Sequence, residues 1–425
     1  MSTALPISDP PSSAADNPPR SQLARHSTTP AILFTAFEPS GDEHASAVIT
    51  ELRHRHPALP IYAWGGPKMQ AAGATIIERT GEDAVMGVPG YEKIREHQRI
   101  NARIESWLAQ KQSSSEPITL HVPVDSPAAN FPICALAKAH GITVVHVVAP
   151  QIWAWARWRI HKLRRRTNLV LCILPFEERF FTKRNVPARF IGHFLFDEPL
   201  NEPELDRRAA LLPRGSPNLA IMPGSRPDEV QRNFPLMLEV FRDVRREFPQ
   251  LQAVVAATRP TVETMLRAMA AVLGPPLPEN NGWPAGIRSV IADTDAVVRW
   301  SDVALVKSGT VTMQVTKQLR PMVIFYKKHN PLIFALVKTI VATRLFSLPN
   351  VIAARAIVPE FVPHYGGSQP ITAAVLKLLR DPQAAQQQRA DLAAVVAQFH
   401  GKSARKLAAD AIEEILGFTH ADHLR

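Results

Sequence analysis

Leu219-Ala220-Ile221-Met222 runs straight into Pro223-Gly224-Ser225-Arg226-Pro227-Asp228-Glu229. An apolar run, a glycine turn, then a proline and two acids read as a buried strand handing over to a helix. Gly224 permits a tight turn close to a ligand, and Asp228 and Glu229 suit a first helical turn. Val303-Ala304-Leu305-Val306 runs into Lys307-Ser308-Gly309-Thr310 in the same way. At such a handover, helix N–H groups lack carbonyl partners and sit at the positive end of the helix dipole, where phosphate binds. Two of these turns in one half of a chain suggest a nucleotide-diphosphate site. Arg226 offers a planar fork of donors to the diphosphate. Ser225, Ser308 and Thr310 add hydroxyls, and Gln314, one helical turn past Thr310, suits a ribose hydroxyl. Locally, a capped turn with a surface arginine explains the same residues equally well. Neither turn has the lysine-bearing P-loop pattern or the G-x-G-x-x-G pattern, which argues against an ATPase or a dehydrogenase.

The theme repeats along the chain. The short apolar run Ala31–Thr35 and the stretches Ile61–Trp64, Ile118–Val122, Thr143–Val148, Leu169–Leu174 and Arg189–Ile191 predict strands in the first half. Leu219–Met222, Ala253–Ala256, Ser289–Ala292, Val303–Val306 and Met322–Phe325 predict strands in the second. Helical segments lie between them, the first at Asp42–Arg55. Strands alternating with helices imply an α/β fold with parallel sheets covered on both faces. Two such blocks imply two Rossmann-like domains, 31–200 and 215–368, joined through the proline- and charge-rich stretch Glu198–Pro217. Ligands of open parallel sheets bind beyond the carboxyl ends of the strands, which places the site in a cleft between the domains. Residues 369–425 are rich in alanine and leucine at helical spacing and predict two or three closing helices, packed on their own chain or swapped onto a partner in a homodimer.

The 425 residues are enough for two cores. A net charge of +11 favours an anionic partner: phosphorylated substrate, anionic membrane or nucleic acid. Cys134 and Cys172 both lie in apolar runs and read as core thiols of a reducing compartment. No Cys/His cluster has metal-ligand spacing, so no metal or cofactor is expected. No apolar stretch is long enough for a transmembrane helix. Residues 1–30, rich in proline and serine, read as a disordered tail without the features of a signal peptide.

Three further constellations carry possible chemistry. Glu38-Pro39-Ser40-Gly41-Asp42 follows the first strand, and Val124-Asp125-Ser126-Pro127 follows another. A carboxylate at such a strand end can take a proton from a substrate hydroxyl, and it can equally cap a turn. Trp153, Trp155 and Trp158 alternate with Arg157, Arg159, His161, Lys162, Arg164, Arg165 and Arg166. That stretch suits an anionic lipid surface, nucleic-acid phosphates or a solvated helix face with its indoles turned inward. Near 332–341 an apolar segment is too short to span a bilayer and reads as core or as shallow insertion.

Taken in order, these segments resemble the lipid-A-disaccharide synthase family of glycosyltransferases. The resemblance rests on EPSGD at 38–42, GGPKMQAAG at 65–73, AVMG at 84–87, VDSP at 124–127 and VAPQIWAWARWRIHKLRR at 148–165. It continues through LVLCILPFEERFF at 169–181, GH at 192–193, MPGSR at 222–226, SGTVT at 308–312 and SLPN at 347–350. It implies a GT-B fold, with donor nucleotide on the second domain and acceptor mainly on the first. It also implies an inverting, metal-independent transfer of 2,3-diacylglucosamine from its UDP derivative to 2,3-diacylglucosamine 1-phosphate, at the cytoplasmic face of the inner membrane.

On that basis Asp125 is the expected base, with Asp42 in reserve, and Arg226 the diphosphate ligand. Gly224, Ser225, Ser308, Gly309, Thr310, Gln314 and Asn350 are expected around the nucleotide. Glu38, Ser40, Gly41, Met86, Trp153, Trp155 and Arg157 are expected around the acylated glucosamine phosphate. Nucleic acid is not an expected partner. The chain departs from the family pattern at Phe37 (usually glycine), Ala128 (usually aspartate), Gln314 (usually glutamate), Phe194 (usually proline) and Ala354 (usually glycine). Those departures leave open a related transferase with another UDP-sugar or lipid acceptor, or a relative that binds without catalysing.

Overall fold

The computed structural model describes residues 30–80, 91–327 and 343–418. The expected tail (except Pro30), Met86 and the apolar segment at 332–341 lie outside them.

Seven strands form the first sheet: β1 (Ala31–Thr35), β2 (Ile61–Gly65), β3 (Thr75–Arg79), β4 (Ile118–Pro123), β5 (Thr143–Val147), β6 (Leu169–Cys172) and β7 (Ala188–Phe190). Their order is β3-β2-β1-β4-β5-β6-β7, and every pairing is parallel. Six more form the second: β8 (Asn218–Met222), β9 (Gln252–Ala257), β10 (Ile287–Ile291), β11 (Val303–Lys307), β12 (Met322–Lys327) and β13 (Glu360–His364), in the order β10-β9-β8-β11-β12-β13. All its pairings are parallel too. Each order reverses once. The reversal falls between β1 and β4 in the first sheet and between β8 and β11 in the second, and at such a switch point the connections part and leave a crevice.

The interior strands are mostly apolar because helices cover both faces. Ile32, Phe34, Leu120 and Val122 face one side of the first sheet; Ala31, Leu33, Ile118 and Val144 face the other, and all are fully or almost fully buried. In the second sheet Leu219, Ile221, Val303 and Leu305 pack under the helix Pro227–Glu247, while Ala220, Met222, Ala304 and Val306 face the opposite layer. That layer also takes in Trp153, Leu174, Phe176 and Phe196 from the first half, so one apolar cluster joins the two halves. Cys134 and Cys172 are both buried free thiols.

The end of the chain divides its packing. The helices Gln369–Arg380 and Pro382–Ala397 bury Ile371, Val375, Leu392 and Val395 against the second half. The final helix, Ala404–Leu416, returns to the first half of the same chain, where Ala404, Ala408, Ala411 and Ile412 join the core under β1. Asp197, in the connection between the halves, caps that helix by accepting from the Ala404 and Arg405 N–H groups at 2.6 and 2.9 Å. Lys317, from the second half, donates to the Leu195 and Glu198 carbonyls, both at 2.7 Å.

Candidate functional site

The first switch point collects the acidic turns. Gly41 sits where β1 passes into the helix Pro39–Arg55, and a Cβ there would lie 3.2 Å from the Ala36 Cβ and 3.3 Å from the Val124 carbonyl oxygen. Without that side chain the helix start closes onto the end of β4. The closeness places Ser40 within hydrogen-bonding reach of the Asp125 carboxylate, and brings Glu38 near enough to act on it electrostatically. Burial raises the Asp125 carboxyl above its ordinary value of 3.8, and the Glu38 charge pushes the same way; the Ser126 N–H and Ser40 oppose them.

Asp125 and Ser126 both adopt left-handed backbone conformations, with φ of 52° and 41°. Non-glycine residues pay for that conformation, so something must hold it. Asn130 does: its amide donates to the Asp125 carbonyl at 2.8 Å and the Val124 carbonyl at 3.2 Å. Its oxygen accepts from Thr35 Oγ1 at 2.7 Å, and Thr35 Oγ1 in turn lies 2.9 Å from His121 Nε2. Burial lowers the His121 value to about 3, so this network is uncharged. The sequence alone does not mark Asn130 or His121; Asn130 is visible there only as a polar residue shortly after Asp125.

Asp42 is a correction. Its carboxylate is 7% exposed and accepts from the Gly66, Lys68 and Met69 N–H groups, each at 3.0 Å. It therefore caps the helix Pro67–Ala71 and is not placed to serve as a base. Gly66 must be glycine for this, since a Cβ there would fall 2.4 Å from Asp42 Oδ2. An Asp42→Ala protein should lose about 2–3 kcal/mol of stability, since three helix-end donors lose a charged acceptor. The midpoint of urea unfolding reads the change, and an unaltered midpoint would contradict the capping role.

The second switch point collects the glycine turns. Met222 pairs with Val306, so the turns after β8 and β11 lie side by side. Gly224 has a φ of 115°, which glycine alone adopts without strain. Its missing Cβ leaves room for Glu229, whose Oε2 lies 3.0 Å from that position. Glu229 accepts from Lys307 Nζ at 2.9 Å and stands 3.6 Å from Arg226 Nη1. Arg226 is the residue just before the helix Pro227–Glu247 and keeps its side chain 36% exposed. Thr310 and Gly309 are exposed, Ser308 and Gln314 half-buried. The cradle thus brings Gly224, Ser225, Arg226, Ser308, Gly309 and Thr310 together at one switch point, with Gln314 in the helix that follows the second turn. Glu229 and Lys307 complete it; in the sequence Glu229 is legible only as an acid of the first helical turn, and Lys307 only as the residue before the second glycine turn.

Two other expectations need correction. Asn350, assigned to the nucleoside, is fully buried: its oxygen accepts from the Ile357 and Val358 N–H groups at 2.8 and 2.9 Å, and its amide donates to the Val358 carbonyl. It shapes the loop after the helix Leu348–Ala353. Ala354, at the end of that helix, has a φ of 54°, which accounts for the glycine usual at that place. Trp153, assigned to the acceptor, is 8% exposed and packs in the cluster that joins the halves. Its indole N–H donates to Glu177 at 2.9 Å, and burial lifts the Glu177 carboxyl to about 8. Trp155 and Trp158 are different: they are 50% and 62% exposed, and the Arg159 guanidinium lies 5.1 Å from the Trp155 ring. In the helix Ile160–Arg166, Ile160 and Leu163 turn inward while His161, Lys162, Arg164 and Arg165 are exposed.

A family model described as lipid-A-disaccharide synthetase matches residues 32–415. The lipid-A-disaccharide synthase of Anaeromyxobacter dehalogenans (strain 2CP-C) is 37% identical over 390 residues, covering 92% of this chain and 97% of that protein. The enzyme of the same name from Erwinia tasmaniensis is 33% identical, covering 89% and 95%. Among solved structures, S. aureus MnaA in complex with UDP superposes with a TM-score of 0.62 at 10% identity, covering 92% of this chain and 98% of that one. The calicheamicin glycosyltransferase CalG4 superposes with a TM-score of 0.55 at 16% identity, covering 92% and 99%. The two facing parallel sheets form the GT-B arrangement that the sequence led us to expect.

Proposed function

The chain belongs to the lipid-A-disaccharide synthetase family, and from that premise we propose a division of labour between its two switch points. The enzyme is a glycosyltransferase that moves 2,3-diacylglucosamine from a UDP-sugar donor to 2,3-diacylglucosamine 1-phosphate, giving the β-1,6-linked disaccharide and UDP. Asp125 takes the proton from the acceptor hydroxyl as its oxygen attacks the anomeric carbon. The bond to the diphosphate breaks on the opposite face, so the configuration inverts. Arg226 and the N–H groups around Gly224 and Gly309 stabilise the charge that gathers on the departing UDP. Ser40 orients Asp125, and Gln314 takes a ribose hydroxyl. The observation that carries this reading is the position of the two sets of turns, each at the reversal of strand order in its own sheet.

Incubating the purified protein with both acylated sugars in detergent should yield disaccharide and UDP in equal amounts by mass spectrometry. No disaccharide from a folded, UDP-binding protein would overturn the reading in favour of a different acceptor or a non-catalytic relative.

Because the Asp125 carboxyl is raised above 3.8, the acidic limb of kcat/KM should lie above that pH. The rate falls as pH drops through the raised value, since the protonated carboxyl no longer accepts a proton. A limb at or below pH 3.8 would count against Asp125.

Trp155 and Trp158, with Arg157, Lys162, Arg164 and Arg165 beside them, form the face that meets the acyl-bearing substrates and the anionic membrane surface. Indoles settle at headgroup level, and each basic residue adds about 1 kcal/mol there. Among the described residues no helix is long and apolar enough to cross a membrane.

A further inference from the structure

We infer that Lys307 is a second cation of the donor site, held at rest by Glu229 and released to the phosphate oxygens of UDP. The inference rests on the donor reading above and adds a residue to it. Lys307 is the last residue of β11, and its side chain runs between the two glycine turns. A Cβ on Gly309 would lie 3.4 Å from Lys307 Nζ, and one on Gly224 would lie 3.6 Å from Lys307 Cδ. A Cβ on Gly224 would press on Glu229, at 3.0 Å from its Oε2, while a Cβ on either glycine would lie in van der Waals contact with the lysine.

The charges in this corner do not cancel. One carboxylate, Glu229, faces two cations, Lys307 at 2.9 Å and Arg226 at 3.6 Å. Its side chain is only 10% exposed and that of Lys307 12%. Desolvating such a pair costs about as much as the attraction returns, so stability is a weak reason for its presence. The surplus positive charge is what an incoming diphosphate neutralises.

The geometry also keeps the lysine in place until then. The Glu229 backbone is fixed by Asn233, whose amide donates to its carbonyl at 2.7 Å, and the Asn233 oxygen accepts from the Lys327 N–H at 2.9 Å. The Tyr326 ring centroid lies 5.2 Å from Lys307 Nζ on the β12 side. Glu229 is thus a positioning residue: it holds a flexible four-carbon chain beside the turns, so that little ordering remains when phosphate arrives. Gln314, uncharged, adds no acid to oppose the diphosphate.

The test is calorimetric titration of the full-length protein with UDP and, at millimolar concentration, with uridine. Lys307→Met should weaken UDP about ten- to a hundred-fold, the loss expected of a charged hydrogen bond, while uridine stays within about two-fold. Lys307→Arg should recover most of the UDP affinity. Lys307→Met leaves the buried Glu229 with only Arg226, at 3.6 Å, so the double variant Lys307→Met/Glu229→Gln, which removes both charges together, guards against misfolding and should show the same selective loss. If the wild type prefers UDP to uridine and the folded double variant keeps that preference undiminished, the inference fails alone. A wild type that binds neither would overturn the donor reading, and this inference with it.

Discussion

An Asp125→Asn protein should bind UDP as the wild type does and transfer sugar about 10²–10⁴ times more slowly. Asparagine keeps the size of the side chain, and the left-handed turn stays held by Asn130, so the fold around the site should not change. Only the capacity to accept a proton is lost. The acidic limb of the pH profile should vanish with it, because that limb reports the raised Asp125 carboxyl. Single-turnover transfer with saturating donor separates this loss from any change in binding. Undiminished turnover would shift the base to Glu38, the other carboxylate close enough to influence Asp125.

An Arg226→Ala protein should lose about 10²–10³ in kcat, equivalent to about 2.7–4 kcal/mol of transition-state stabilisation. The guanidinium is only loosely paired with Glu229 at 3.6 Å and keeps more than a third of its surface open, so it is available to a ligand. Arg226→Lys should restore part of the rate, because a lysine brings the charge without the two-pronged geometry that suits a diphosphate. Turnover of the alanine protein at the wild-type rate would remove Arg226 from the mechanism.

The strands most visible in the sequence are those buried on both faces. β1, β4, β8 and β11 are mostly apolar and mostly buried, and a glycine or acidic turn at the carboxyl end of each marks where chemistry collects. β3 and β13 are missing from that reading because, at the edges of their sheets, neither carries a fully buried apolar run, whereas the edge strands β7 and β10 are read from Arg189–Ile191 and Ser289–Ala292. β3 alternates exposed and half-buried residues, and β13 carries Pro363, which an edge tolerates. The same distinction governs the site. Asp125 and Arg226 are marked by their positions at strand ends. The roles of Asp42, Asn350, Trp153 and Lys307 depend on partners that the sequence does not place. Asp42 meets N–H groups more than twenty residues away, and Glu229 meets Lys307 across 78 positions.

The chain passes between its two halves twice, once through the connection that contains Asp197 and once on the way into the final helix. Asp197 pins the two passages together through Ala404 and Arg405. Two passages pinned at one point act as a clasp: parting the halves would mean both opening the apolar cluster they share and stripping the final helix of its cap, so the two sheets and the tail that returns across them are secured as a unit.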